Sequence, residues 1–319
     1  MQGDFIQTEW DARTEAQCRQ VVRLALAEDL GQQGDLTSQA LVDADLLGQA
    51  VLVARQAGIL AGLAGVPSLL AEVEAWLEAA AERASASGPT ATADRLRWTP
   101  LAEDGQPIQA GQTVGRLEGP ARKILGCERI VLNLVGRLSG IATLTRQFVE
   151  AVAGTGAAIY DTRKTTPGWR RLEKYAVRCG GGRNHRSGLF DAILIKDNHL
   201  AFCQGQLRPA QAVHQARLYL RQIGRPDLPV EIEVDRLDQL EEVLPADPDL
   251  VLLDNMSPDE LRQAVQCRNQ MNPRVLLEAS GGVRLETVRE IAQTGVDRIS
   301  VGALTHSAAS LDLGLDWLP

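Results

Sequence analysis

With 319 residues, 45% of them hydrophobic and 23% charged, the chain has the make-up of a folded globular protein with room for one large core or two modest ones. A formal net charge of −8 argues against a general nucleic-acid surface or a polybasic membrane patch, while leaving space for a local basic pocket. Met1–Trp10 lacks the basic and apolar regions of a signal peptide, the run Ala57–Val73 is too short and interrupted to span a bilayer, and the five scattered cysteines form no CxxC pair, so the expectation is a cytoplasmic protein with reduced thiols.

In chain order, Glu15–Leu30 carries apolar residues at helical spacing (Val21, Val22, Leu24, Leu26, Leu30) and stops at Gly31. Val51–Leu60 alternates like a strand, and Pro67–Ala86 reads as a helix. Ala79–Asp94, rich in Ala, Ser and Thr, reads as a surface extension. Short apolar runs and glycines over Trp98–Glu118 predict strands and turns. Arg129–Val152 is a long helical stretch whose Gly136, Ser139, Gly140 and Ala142 permit close packing.

Beyond it the pattern changes. Apolar runs end at Tyr160, Ile195, Val234, Leu253, Glu278 and Val301, and helical segments separate most of them. Ser257, Pro258 and Glu260 give one such helix an N-cap, a proline at its first position and a capping box, while Leu285–Gln293 predicts another that stops at Gly295. Short buried strands alternating with helices predict a parallel sheet, either a closed or nearly closed barrel or an open doubly wound sheet. Polar residues at the carboxyl end of strand after strand favour the barrel, and no GxGxxG follows the first of these strands.

Chemistry concentrates in Asp161–Leu200, where nine Lys/Arg face four acids in a chain of net charge −8. A basic run is usually a solvated face. Here, however, Arg163 and Lys164 follow one strand, Lys196 follows another, and Gly180–Gly182 permits a tight fold before His185 and Arg186. Such charges converge on a barrel mouth and suit an anionic ligand, because arginine forks match carboxylates and phosphates. Glu231 and Glu233 share one side of a strand and Asp254 ends the next; these acids suit either partners for the basic cluster or Mg²⁺ held beside a phosphorylated substrate. Small residues after the last two strands (Ser280, Gly281, Gly282; Gly302, Ala303) leave backbone N–H groups for a phosphate. Residue chemistry alone thus reaches an anion-binding α/β barrel with phosphate and magnesium sites, and His306 is left unassigned.

The strings ERIVLNLVGRLSGIAT, DTRKTTPGWRRLEKYAVRCGGGRNHRSGLFDAILIKDNH, EIEVD, LDNMSP, LEASGGV and ISVGALTHS resemble the quinolinate phosphoribosyltransferase family, and the resemblance runs from about Glu28 to Trp317. It implies an incomplete, TIM-like α/β barrel over residues 129–302 and an N-terminal α/β sandwich over 1–128, completed by the tail 303–319. It further implies a cytoplasmic homodimer or higher oligomer with shared sites, converting quinolinate and phosphoribosyl pyrophosphate to nicotinate mononucleotide, pyrophosphate and CO₂ for NAD synthesis. By this resemblance Arg163, His185 and Arg186 bind the carboxylates beside Thr162, and Arg129 comes from the partner subunit. Lys164 and Lys196 lie between the two substrates. Glu233 and Asp254 serve the ribose hydroxyls and Mg²⁺, directly or through water, and Ser280, Gly281 and Gly302 hold the 5′-phosphate. The Ala79–Asp94 stretch is longer than the family pattern. Two rival readings share the barrel: a Schiff-base aldolase using Lys196, and a related phosphoribosyltransferase of other specificity.

Overall fold

A computed structural model of the protein describes residues 4–83, 95–203 and 207–318. Among these, the chain forms two compact units: Thr8–Leu144 with Thr166–Gly181 and Ala308–Pro319, and Met1–Gln7 with Thr145–Thr165 and Gly182–Ser307. The sequence expectation divided the chain at residues 128/129 and 302/303; the units divide instead at 144/145 and 307/308, and residues 166–181 leave the second unit for the first.

The first unit opens with helix α1 (Ala12–Leu30). Asp11 caps it by accepting from the backbone N–H of Thr14, and Gly31, at φ 51°, ends it. Its buried stripe, Thr14, Cys18, Val22, Leu26 and Leu30, repeats every four residues and faces the unit's interior. The short helix α2 (Leu36–Leu41) follows, then β1 (Leu47–Ala54) and β2 (Gly58–Ile59). The single strand expected over Val51–Leu60 is thus two, because exposed Arg55 and Gln56 interrupt the run. Next come α3 (Val66–Arg83), β3 (Arg97–Pro100), β4 (Pro107–Ile108), β5 (Thr113–Pro120) and the long α4 (Ala121–Ala151). Of the expected surface extension, Ala79–Arg83 continues α3 and residues 84–94 lie outside the described residues. Helix α4 starts eight residues before the expected Arg129, directly after Pro120. Helix α5 (Arg170–Cys179) belongs to this unit, as does β12 (Leu313–Leu318), which pairs antiparallel with β1 in a four-stranded sheet ordered β12-β1-β5-β3.

In the second unit six strands form one parallel sheet: β6 (Ala158–Tyr160), β7 (Ile193–Ile195), β8 (Val230–Val234), β9 (Leu250–Asp254), β10 (Leu276–Ser280) and β11 (Arg298–Ser300), ordered β6-β11-β10-β9-β8-β7. Strands β6 and β7 end the sheet without pairing, so the barrel is incomplete there. The helix that follows β6 in the chain, α5, lies in the first unit. Elsewhere each strand leads to a helix of its own unit: α6 (Asp197–Phe202) and α7 (Pro209–Gln222) after β7, α8 (Leu237–Val243) after β8, α9 (Pro258–Met271) after β9, α10 (Val288–Ala292) after β10, and α11 (Ala303–His306) after β11. The Ser257–Glu260 capping box is present at α9. Helix α10 is shorter than the expected Leu285–Gln293 because turns occupy residues 285–287. Central strands β8–β10 are buried on both faces, which is why they read as unbroken apolar runs.

Candidate active site

A cavity of about 770 Å³ opens at the carboxyl ends of the parallel strands. Thr162, Arg163 and Lys164 reach it from the end of β6, Lys196 from β7, Glu233 from β8, Asp254 from β9, Ser280 and Gly281 from β10, and Gly302 from β11. His185 and Arg186 enter from the segment between α5 and β7. The structure therefore brings eleven of the twelve expected residues to one cavity. Arg129 does not line it and is exposed on α4 in the other unit. The basic run also divides. Arg170, Arg171, Lys174 and Arg178 sit on α5 in the first unit, where Arg171 pairs with Asp11 at 2.8 Å and Arg178 with Glu9 at 3.4 Å. The cations expected at strand ends, Arg163, Lys164 and Lys196, line the cavity together with Arg186, and the four on α5 do not.

One side of the cavity is cationic. Arg163, Lys164 and Arg186 have no salt-bridge partner among the described residues, and Arg163 Nε is buried without a hydrogen-bond acceptor. Burial, followed by repulsion from the neighbouring Arg163, lowers the pKa of Arg186. Two guanidinium groups sharing a partly dry wall favour an anion beside them. Local structure fixes this wall. Buried Asp161, just past β6, accepts from Asn184 Nδ2 at 2.7 Å and from the His185 backbone N–H at 2.9 Å, while Thr305 Oγ1 donates to the Lys164 carbonyl at 2.8 Å.

The opposite side is mixed. Lys196 Nζ is ion-paired with Glu233, and Asp254 accepts from Asn255 Nδ2 at 2.8 Å. Gly281 has φ +94°, and a Cβ there would overlap the Asn255 side chain, so only glycine fits the turn. Gly282 has φ +58° and open space around it. Asn255 itself adopts φ 56°, and its backbone N–H donates to the Ser280 carbonyl at 2.9 Å, tying the two strand ends together. Two adjacent carboxylates, an ammonium and a glycine turn with exposed backbone suit a phosphorylated, hydroxyl-bearing ligand.

Two family models match the chain: Quinolinate phosphoribosyl transferase, N-terminal domain, over residues 35–139, and Quinolinate phosphoribosyl transferase, C-terminal domain, over residues 141–316. The chain belongs to the quinolinate phosphoribosyltransferase family. It is similar to the carboxylating nicotinate-nucleotide pyrophosphorylase of Mycobacterium leprae (strain TN), at 44% identity over 93% of this chain and 96% of that one. It is likewise similar to the probable nicotinate-nucleotide pyrophosphorylase of Bacillus subtilis (strain 168), at 38% identity over 94% and 93% of the two chains. Among solved structures, the nicotinate-nucleotide pyrophosphorylase of Francisella tularensis superposes with a TM-score of 0.82 at 35% identity, covering 99% of this chain and 100% of that one.

Beneath the mouth lies a buried polar layer. His185 Nε2 lies 3.0 Å from Glu231 and 3.5 Å from Glu278, both side chains fully buried. Three such groups in reach of one point are of a kind that holds a metal ion. The backbone N–H of Arg186, however, donates to His185 Nδ1 at 2.8 Å. That nitrogen therefore uses its lone pair as an acceptor, which leaves Nε2 facing two buried carboxylates whose oxygens have no hydrogen-bond partner among the described residues. Burial lifts the Glu278 carboxyl to about 7. Nδ1 of His185 is thus committed to the Arg186 backbone, and His185 lines the same cavity as Arg163 and Arg186. Sequence reading missed Glu278, Asn255, Arg284 and Ser300 as cavity residues and left His306 open; all five line it. An acid inside the apolar run VLLEAS was the available signal for Glu278, since a carboxyl is costly to bury and packing alone gives no reason for one there.

Proposed function

We propose that this enzyme joins quinolinate to phosphoribosyl pyrophosphate and releases pyrophosphate and CO₂, leaving nicotinate mononucleotide for de novo NAD synthesis. The observation that carries the reading is the division of one cavity into an unpaired guanidinium wall and a side bearing carboxylates and a glycine turn. Arg163 and Arg186 take the two carboxylates of the pyridine acid, with Thr162 beside them and His185 as the wall that holds Arg186. The ring nitrogen attacks C1 of the ribosyl group as pyrophosphate leaves. Lys164 and Lys196 face the negative charge that builds on the leaving group, a task of charge placement more than of proton transfer. Ribosylation makes the ring nitrogen cationic, so the electron pair left at C2 on loss of CO₂ is stabilised in place and then takes up a proton. Ser280, Gly281 and Gly302 receive the 5′-phosphate.

Glu233 and Asp254 supply hard oxygen donors on the donor side and fit Mg²⁺, which when bound neutralises pyrophosphate charge. Both acids also serve the ribose hydroxyls. We assign the enzyme to the cytoplasm, in keeping with its free cysteines; among the described residues no helix is long and apolar enough to cross a membrane. In the homodimer, Arg129 completes the partner's carboxylate subsite. The Schiff-base alternative is disfavoured by the surroundings of Lys196, an ion-paired ammonium open to solvent where an aldolase lysine is enclosed by apolar groups. Release of labelled CO₂ from carboxyl-labelled quinolinate is the test: it is expected only when phosphoribosyl pyrophosphate and Mg²⁺ are both present. Release without the donor, or a borohydride-trapped adduct on Lys196 with a carbonyl substrate, would overturn this assignment.

A further inference from the structure

We propose that the N-terminal segment Asp4–Gln7 is a working part of the quinolinate subsite, with Phe5 acting as a positioning residue that holds His185, and through it Arg186, in place. This inference rests on the function proposed above. Residues 4–7 belong to the parallel-sheet unit although the chain from Thr8 onward builds the other unit, and they precede the family match, which begins at residue 35.

The parallel sheet is open between β6 and β7. Gly182–Arg186 covers part of that edge: the Arg183 backbone N–H donates to the Ile159 carbonyl at 2.8 Å, and Asp161 N–H donates back to Arg183 at 3.0 Å. The N-terminal segment adds to this cover. The Asn184 backbone N–H donates to Gln7 Oε1 at 2.8 Å, and Gln7 Nε2 donates to the Asn184 carbonyl at 3.2 Å. Phe5 is 5% exposed and packs with Tyr160, Ala192 and Leu250. Tyr160 ends β6 and Ala192 precedes β7, so one ring joins the two unpaired edges. Asp4 anchors the segment: Tyr160 OH donates to it at 3.0 Å, and the buried Arg298 and the partly exposed Arg183 lie at 3.6 and 3.5 Å.

The consequence falls on His185. Its ring stacks on Phe5 with centroids 4.2 Å apart and planes 27° apart. Nδ1 holds the Arg186 backbone and Nε2 faces Glu231, so the ring is fixed at both nitrogens and on one face. Without Phe5 the face support is gone and the ring can tilt, carrying the Arg186 backbone and guanidinium with it. No contact joins the segment to Asp254, Gly281 or Gly302 among the described residues. The effect is therefore confined to one substrate.

The test uses the full-length enzyme with Phe5→Ala, Phe5→Leu and Asp4→Asn, each checked for native far-ultraviolet circular dichroism. In Phe5→Ala the KM for quinolinate is expected to rise about tenfold while that for phosphoribosyl pyrophosphate stays within about twofold, as loss of orientation at one subsite requires. Phe5→Leu, which refills the space without the aromatic face, should show a smaller rise of about threefold, and so should Asp4→Asn. An unchanged quinolinate KM in folded Phe5→Ala, or an equal rise in both KM values, overturns the proposal. If Phe5→Ala does not fold, Phe5→Leu decides on the same criterion. Wild-type enzyme that releases no CO₂ from quinolinate would instead sink the functional reading, so the two failures are distinguishable.

Discussion

Arg163 shows what a single side chain contributes to a site assembled from strand ends. Its guanidinium faces the cavity with Nε buried and unsatisfied, so its hydrogen-bonding capacity is held for a ligand. Removing it in Arg163→Ala deletes a two-point contact to a carboxylate, which at about 3 kcal/mol corresponds to at least a hundredfold loss of quinolinate affinity with the fold retained. Titration calorimetry checks this, and unchanged affinity would remove Arg163 from the carboxylate subsite. Glu233→Gln with Asp254→Asn should raise the Mg²⁺ requirement and the KM for phosphoribosyl pyrophosphate about tenfold more than the KM for quinolinate, because the function proposed above assigns both acids to the ribosyl donor and its metal. A parallel loss for both substrates would contradict that division. Glu278 gives a pH signature. Its carboxyl is raised from 4.5 to about 7 chiefly by burial, so the folded protein holds a proton that the unfolded chain releases at lower pH. Stability from this group is greatest below 4.5 and falls as pH rises through 7. Thermal melts of Glu278→Gln should lack that decline; a wild-type Tm that stays flat over the same window, matching the variant, would show that the carboxyl is not raised.

At the level of elements, α4 illustrates how small residues set a crossing. Ser139 accepts from the Ala61 N–H at 2.9 Å, the Leu311 N–H donates to the Gly136 carbonyl at 2.9 Å, and a Cβ on Gly140 would overlap the Ala309 carbonyl oxygen. The chain segment leading into β12 thus crosses the helix at a distance that only glycine permits. Gly140→Ala gains helix propensity of about 1 kcal/mol, yet the clash is with backbone that cannot rotate away, so overpacking dominates and the variant should lose about 1–3 kcal/mol net. Denaturant unfolding measures the difference; equal or greater stability would mean that the tail yields freely. The small residues were visible in sequence, but the segment that packs on Gly136 and Gly140 was not, because it lies more than 160 residues further along the chain.

At the scale of the whole molecule, the cavity and Arg129 belong to different units, and the residue is exposed on its helix. In the dimer proposed here Arg129 supplies positive charge to the neighbour's site. Arg129→Ala and Arg163→Ala should each be nearly inactive alone. Mixed in equal amounts and allowed to exchange, they should form heterodimers in which one site carries both defects and the other neither, and recover about a quarter of wild-type activity, as two-fold symmetry dictates. Heterodimers confirmed by tagged pull-down but inactive would return Arg129 to its own chain's site or to the interface alone.

The sequence by itself determined the alternation of short apolar strands with capped helices, since burial on both faces leaves no choice of residue type in β8–β10. It also placed Arg163, Lys164, Lys196 and Asp254 at or just beyond strand ends, where parallel-sheet chemistry gathers. Tertiary structure alone decided which of the nine cations face the cavity, because α5 joins the other unit and takes four of them with it. It decided equally that Glu231 and Glu278, on separate strands, close on His185, and that Phe5 lies against its ring. Local pattern records the preference of each residue for burial or solvent; the partner that satisfies a buried charge comes from a distant segment, and only the closed fold selects it.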